Sequence, residues 1–399
     1  MSITVCLSTN QTLDYPQGGG HLWVYLNWAL GLRALGCEVI WLEIVSQQES
    51  ASTPKRRLRR SGLVEVADDP KHEVHTNVAT LKSRLKRFGL AQSLALHPSE
   101  GEILPEEVRE GCLDLEAAAA EADLLLNLRY NLPSEVVERF RRSALVDIDP
   151  GLLQVWMSQG LVSVAPHDEY FSIGETVGQP GARFPDVGLK WHYTPPPVYL
   201  PEWPPTPADT MAPYTTIAHW WGEEWVKIEG EYRDNNKRAA FLDYLDLPSR
   251  TTAPLELALC LAPEDQEEKR LLEERGWKVR HAWDVSSDPE DYRAYIQRSR
   301  GEFSCVKPSY VWLSNAWISD RTLCYLASAK RAVVQHTGPS RFLPDAEGLI
   351  RFRSLEEAGR ALSAVESEYE RHSRLARELA EEHFDARKVV GGVLERALA

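Results

Sequence analysis

Ile3-Thr4-Val5-Cys6-Leu7, then Gly18-Gly19-Gly20-His21, then Val39-Ile40-Trp41-Leu42: these pieces of the amino-terminal segment decide the fold. The first and last are short apolar runs, the mark of strands covered on both faces. Between them Leu22, Tyr25, Leu26 and Ala29 recur at the spacing of one helix face, and Gly36 stands where such a helix stops. Strand, helix and strand at this spacing make a βαβ unit. Its right-handed crossover lays both strands parallel in one sheet.

Outward from this unit the pattern fades over residues 48–118, which are polar and helix-leaning. It returns with Asp123-Leu124-Leu125-Leu126-Asn127, a helical stretch at Ser134–Arg142, and Leu145-Val146-Asp147-Ile148. From Thr194 to Pro213 the chain is dense in proline, including Pro195-Pro196-Pro197 and Pro204-Pro205, and such density stops helix and sheet alike. A second alternating series follows. Strands are expected at Tyr214–His219, Leu255–Leu261, Lys278–Trp283, Glu302–Val306, Ala332–Gln335 and Leu349–Phe352. Helices are expected between them at Lys237–Tyr244, Glu264–Glu274, Pro289–Arg298 and Asp320–Ser328. Ser354-Leu355-Glu356-Glu357 is a capping box, and Glu366–Leu398 reads as helix with a break near Phe384-Asp385. The expected architecture is α/β: two Rossmann-like, doubly wound domains, residues 1–205 and 206–399, joined by a proline-rich hinge and facing across a cleft. The last helix is free to pack back on the first domain.

The 399 residues suffice for two domains with their own cores. A formal net charge of −14 repels a phosphate backbone, so no nucleic-acid partner is expected. Lys55-Arg56-Arg57-Leu58-Arg59-Arg60 runs against that charge, as a local anion contact or a solvated loop. Six scattered cysteines without a Cys-x-x-Cys pair fit free thiols in a reducing compartment. With no signal-peptide pattern and no apolar run near the ~18 residues of a membrane span, a cytoplasmic protein without a membrane partner is expected.

Open parallel sheets bind ligands beyond the carboxyl ends of their strands, so chemistry is sought there. In Asn315-Ala316-Trp317-Ile318-Ser319-Asp320-Arg321-Thr322 a loop runs into a helix that Ser319 or Asp320 caps. Unpaired N–H groups and the helix dipole make such a start a phosphate site, and Arg321 adds a guanidinium able to grip a diphosphate. Of thirteen tryptophans, Trp317 is the one expected to stack on a base or sugar. On the other domain His21 follows the triple glycine, where a near-neutral pKa suits a general base and Gly19 and Gly20 admit a close acceptor. Asp147 or Asp149, after a later strand, is the candidate to orient it, and Asp149 joins His21 in the expected catalytic set. His167 is a second acceptor-side candidate. The third glycine of a dinucleotide fingerprint would fall on Trp23, and no Gly-x-x-x-x-Gly-Lys-Ser/Thr loop or metal-ligand cluster occurs. Dehydrogenase, nucleoside triphosphatase and metalloenzyme readings recede accordingly.

The run Leu326-Ala327-Ser328-Ala329-Lys330-Arg331-Ala332-Val333-Val334-Gln335-His336-Thr337-Gly338 leads to Leu343-Pro344 and Gly348-Leu349-Ile350-Arg351-Phe352. With Tyr369, His372, Ala376-Arg377 and Glu382-His383-Phe384-Asp385, it resembles the carboxyl half of GT-B glycosyltransferases. Gly18-Gly19-Gly20-His21 and Leu32-x-x-Leu35-Gly36-x-x-Val39 resemble that family's glycine loop and first helix. The resemblance implies transfer of a sugar, as a hexosyltransferase does, from a nucleoside diphosphate sugar to a small-molecule or peptide-like acceptor. The nucleotide sugar is a co-substrate; no cofactor and no obligatory metal are implied. Arg233 and Lys237 resemble the family's diphosphate clamp, and Lys307, Trp317, Ser319, Asp320, Arg321, Thr322, Thr337 and Gly338 complete the implied donor site. His21 stands where inverting members of the family carry a base. The Glu-x7-Glu pair of many retaining members falls on Ala316 and Cys324, leaving Asp320 as the nearby carboxylate. Inverting and retaining courses both stay open. So do two alternatives: a nucleotide-sugar epimerase and a non-catalytic nucleotide-sugar-binding protein.

Overall fold

The computed structural model describes residues 2–16, 18–45, 70–99, 102–222, 225–228, 230–343, 345 and 347–399. The basic run at Lys55–Arg60 lies outside them. The first sheet holds β1 (Thr4–Ser8), β2 (Glu38–Val45), β3 (Leu94–Pro98), β4 (Leu124–Asn127), β5 (Ser143–Asp147), β6 (Glu169–Ser172) and β7 (Trp191–Tyr193). Its order is β3-β2-β1-β4-β5-β6-β7, with every pairing parallel. After β8 (Tyr214–His219) comes an antiparallel hairpin, β9 (Trp225–Ile228) and β10 (Glu231–Asp234). Then β11 (Leu255–Cys260), β12 (Lys278–His281), β13 (Gly301–Ser304), β14 (Arg331–Gln335) and β15 (Leu349–Phe352) join β8 in a second parallel sheet. Its order is β12-β11-β8-β13-β14-β15, and the proline-dense stretch lies between the two sheets. In each sheet the first strand is central and the order reverses beside it, between β1 and β4 and between β8 and β13. Those are the two switch points where a crevice opens.

The strands form where apolar residues run without alternation because both faces are covered. Val39 to Val45 are all buried, Glu43 included. Some expectations are corrected. The helix expected at Ser134–Arg142 spans only Ser134–Val137. The strand expected to reach Trp283 stops at His281, because Trp283–Ser286 turns helical.

The helices include α1 (Gly19–Ala34), α2 (Pro70–Arg87), α3 (Lys237–Leu242), α4 (Pro289–Arg298), α5 (Pro308–Leu313), α6 (Asp320–Ala327), α7 (Tyr369–Leu379) and α8 (Ala386–Ala397). Among the described residues no helix is long and apolar enough to cross a membrane. A short π-helical turn, Ala380–Phe384, makes the break expected in the carboxyl-terminal helix. Beyond it α8 lies on α1, where a β-carbon on Gly31 would stand 3.0 Å from Ala386 and Val390. Helix α1 also meets the second domain. A β-carbon on Gly19 would stand 2.3 Å from the Asp288 carbonyl oxygen, and one on Gly20 2.6 Å from the Tyr292 ring. Trp23 Nε1 donates to the Pro289 carbonyl at 2.7 Å. One apolar core therefore runs from Trp23 and Trp28 through Tyr292 and Leu323 to Phe384, holding the domains together.

Candidate functional site at the facing switch points

On the first domain the chain leaves β1 at Ser8, turns over residues 10–14 and enters α1 at Gly19. His21 lies in the first turn, its ring 5.4 Å from that of Tyr15 and 5.3 Å from that of Tyr25. Its Nε2 is 2.8 Å from the Asn10 carbonyl oxygen. A carbonyl only accepts, so Nε2 carries the proton and Nδ1 keeps the lone pair. Burial pushes the His21 pKa below the ordinary histidine value, against the Asn10 carbonyl bond, and the nearby His219 adds to the depression. The imidazole is thus neutral, with its lone pair at Nδ1.

The group bonded to His21 Nε2 is the Asn10 carbonyl. Asp147 is buried and accepts from Gln154 Nε2 and Ser172 Oγ at 2.8 Å each and from Asp149 N at 2.9 Å. Burial pushes its pKa up to about 7 despite those bonds. Asp149 accepts from the Tyr310 hydroxyl of the second domain at 3.3 Å. His167 lies in the core with both ring nitrogens bonded, Nδ1 to the Ala165 carbonyl at 2.7 Å and Nε2 to Asn127 Nδ2 at 3.1 Å. Gly19 and Gly20 face α4 rather than open space, so their missing side chains serve the contact between domains.

On the second domain His219 ends β8, with the Tyr15 ring 6.4 Å away. One tyrosine thus reaches both histidines across the cleft. Burial, then the charge of Lys307, lowers the His219 pKa. Lys237 opens α3, capped by Asn236, and its Nζ donates to the Cys305 carbonyl just beyond β13. Burial, then the charges of Arg321 and Lys307, push the Lys237 pKa down to about 7. Cations crowd the carboxyl end of β13, at the switch point, and an anion arriving there relieves the crowding.

Arg321 contributes charge to that crowd but no open hand. Its Nε donates to Glu302 Oε1 at 2.9 Å, Nη1 to the Ile217 carbonyl at 2.9 Å, and Nη2 to Ser304 Oγ at 2.6 Å. Glu302 is 0% exposed, so this is an interior ion pair. The start of α6 is capped from within as well. Ser319 Oγ accepts from Arg321 N at 3.3 Å, and the Asp320 carboxylate takes bonds from the backbone N–H groups of Asp320 and Arg321. Burial raises the Asp320 pKa.

Thr322 is buried, and Thr337 Oγ1 donates to the Trp317 carbonyl at 2.6 Å. Gly338 has φ +132° and packs where a β-carbon would be 2.6 Å from the Ser314 carbonyl oxygen. The Trp317 ring stacks on Tyr310 at 4.3 Å and 12°. Thr337, Gly338 and Tyr310 thus pack against one loop, residues 314–319, in which Ser314 and Ala316 take left-handed conformations. The loop is tied to the first domain: Asn315 Nδ2 donates to the Pro150 carbonyl at 2.7 Å, and Thr176 N donates to the Asn315 carbonyl at 3.4 Å. Arg233 has its backbone in β10, and its side chain lies outside the described atoms.

The structure therefore brings together His21, Tyr15, Tyr25, His219, Lys307, Lys237 and the carboxylates of Asp149 and Asp320. Those two carboxylates, after Glu43, raise the pKa of Tyr25 beyond the effect of burial. Sequence reasoning missed His219, though its place at the end of a predicted strand was a usable signal. It missed Tyr15 and Tyr25 because their partners come from distant segments. A cavity of about 370 Å³ opens beyond β11 and β12, lined by Leu261, Ala262, Asp265, Lys269, Arg280 and His281.

No family model matches the sequence, and no curated protein does. Solved structures match in shape. Alr3699/HepE of Anabaena, in complex with UDP-glucose, aligns with a TM-score of 0.55 at 9% identity, over 99% of this chain and 100% of its own. An alpha-glucosyltransferase (AGT) in complex with UDP aligns with a TM-score of 0.50 at 11% identity, over 100% of both chains. With two parallel sheets, of seven and six strands, that share one order over six strands and face across a cleft, and with these likenesses over nearly full length, the chain has the GT-B fold.

Proposed function

We propose that the protein moves a glycosyl group from a nucleoside diphosphate sugar to a hydroxyl of a small-molecule or peptide-like acceptor. One observation carries this reading. A neutral histidine with Nδ1 available for a proton stands at one switch point, and a crowd of cations stands at the other. The solved structures of the same fold that hold UDP-glucose or UDP support a nucleotide-sugar donor.

In this reading the diphosphate lies beyond β13, beside Lys237 and Lys307. Negative charge gathers on it as the bond between the anomeric carbon and the phosphate oxygen breaks, and the two ammonium groups stabilise that charge. A lysine poised near neutrality is restored to full charge by the arriving phosphates. Arg321 holds the site's shape and potential from inside the domain. The acceptor hydroxyl attacks the anomeric carbon and passes its proton to His21 Nδ1. Asp149 and Asp320, close to Tyr25, are placed to accept from sugar hydroxyls.

The test begins with melting temperature in the presence of UDP, GDP or dTDP. Ligand at 100 times Kd adds about 2.7 kcal/mol of stability. A nucleotide that stabilises the protein identifies the donor series, and release of that nucleoside diphosphate from its sugars then measures transfer. No stabilisation by any of them at millimolar concentration refutes the donor site. Conversion of donor alone into an epimer refutes transfer.

A further inference from the structure

We infer that Glu43 is a positioning residue for His21, acting through the turn that presents the Asn10 carbonyl. This rests on the reading of His21 as the base. Glu43 lies on β2, 0% exposed. A single oxygen, Oε1, accepts from the hydroxyls of Thr9 and Thr12 and from Trp41 Nε1, the last at 2.9 Å. The two threonines bracket Asn10 and Gln11, and Gln11 is held at φ +57°. A residue other than glycine in that region costs roughly 1–2 kcal/mol, so the turn keeps its shape only if its surroundings impose it.

Glu43 grips the turn on both sides of the strained residue. The Asn10 carbonyl is thereby aimed at His21 Nε2 at 2.8 Å and at the Tyr25 hydroxyl at 3.3 Å. That carbonyl fixes the proton on Nε2 and leaves Nδ1 as the base. Oε2 of Glu43 is buried without a hydrogen-bond partner, an arrangement that packing alone does not favour. Burial raises the Glu43 pKa, opposed by the bonds from Thr12, Thr9 and Trp41 and then by the charge of Arg129.

The test uses Glu43→Leu and Glu43→Gln, each alone and with His21→Ala. Because all three donors meet Oε1, the glutamine carbonyl can keep them. Glu43→Leu is expected to lower kcat about 10–100-fold, the cost of losing a group that orients a reactive ligand. Glu43→Gln is expected to restore most of it, and nucleoside diphosphate affinity is expected to hold in both variants. In the His21→Ala background Glu43→Leu should remove less than about twofold more, because the two act as one unit. Ring ¹⁵N shifts of His21 should report one tautomer in the parent protein and a mixture in Glu43→Leu.

Equal losses from Glu43→Leu in both backgrounds overturn the inference, as does an unchanged tautomer in Glu43→Leu. If His21→Ala keeps full turnover, the base assignment falls, while the ¹⁵N shifts still decide what Glu43 positions. Should Glu43→Leu fail to fold, Thr12→Val removes one hydroxyl at nearly constant shape and is read by the same shifts.

Discussion

Replacing Lys237 with methionine separates what the cation does for folding from what it does for binding. Its pKa falls from 10.5 to about 7 in the folded protein. At 1.36 kcal/mol per unit, the charged lysine costs the folded protein about 5 kcal/mol, as an order of magnitude. The unfolded chain keeps its proton up to pH 10.5, whereas the folded chain releases it near pH 7. Below pH 7 both states are protonated and the whole cost is present. Between pH 7 and 10.5 the unfolded state binds more protons, so this group's contribution rises with pH. From pH 7 to pH 9 about 2 kcal/mol of the cost disappears. Urea unfolding of the parent and Lys237→Met proteins at those two pH values measures it. The stability difference should move by about 2 kcal/mol in favour of the parent, while the methionine variant loses nucleoside diphosphate affinity at both. A difference that stays constant from pH 7 to pH 9 refutes a lysine held near neutrality by burial and by its cationic neighbours.

His21→Ala should lower kcat about 10²–10⁴-fold with donor affinity nearly intact. Because the His21 pKa is depressed, the acid limb of activity should lie below pH 6.5 and vanish in the variant, as pH–rate profiles will show. Arg321→Ala should destabilise the fold by about 3–5 kcal/mol in urea unfolding, because it strands the buried Glu302 carboxylate. Gly20→Ala should lower stability by about 1–3 kcal/mol, measured the same way, because the added methyl meets the Tyr292 ring.

The second sheet was legible almost strand by strand, since most of its parallel strands are buried apolar runs between helical spacings, the exposed edge strand β12 excepted. β3 and β7 were not. Leu94–Pro98 closes a polar region, and Trp191-His192-Tyr193 is a three-residue edge strand with little apolar length. Helix α5 escaped notice because six residues starting at a proline carry too little periodicity. In the site, the Ser319 cap was visible because capping is local. The Arg321–Glu302 pair joins residues on different elements, and both residue types are usually exposed, so sequence pointed Arg321 outward. The glycines before His21 misled for a related reason. They require a close neighbour, but that neighbour is α4, far along the chain. Asn10 gave no signal at all, because it is its backbone carbonyl that acts.

The most direct test of the proposed donor site is a structure of the protein with the nucleoside diphosphate that stabilises it. The proposed donor site requires phosphate oxygens within hydrogen-bond distance of Lys237 Nζ, beyond the carboxyl end of β13, with Arg321 still paired to Glu302. A nucleotide bound elsewhere, or Arg321 swung out of its pair to grip the phosphates, would contradict it.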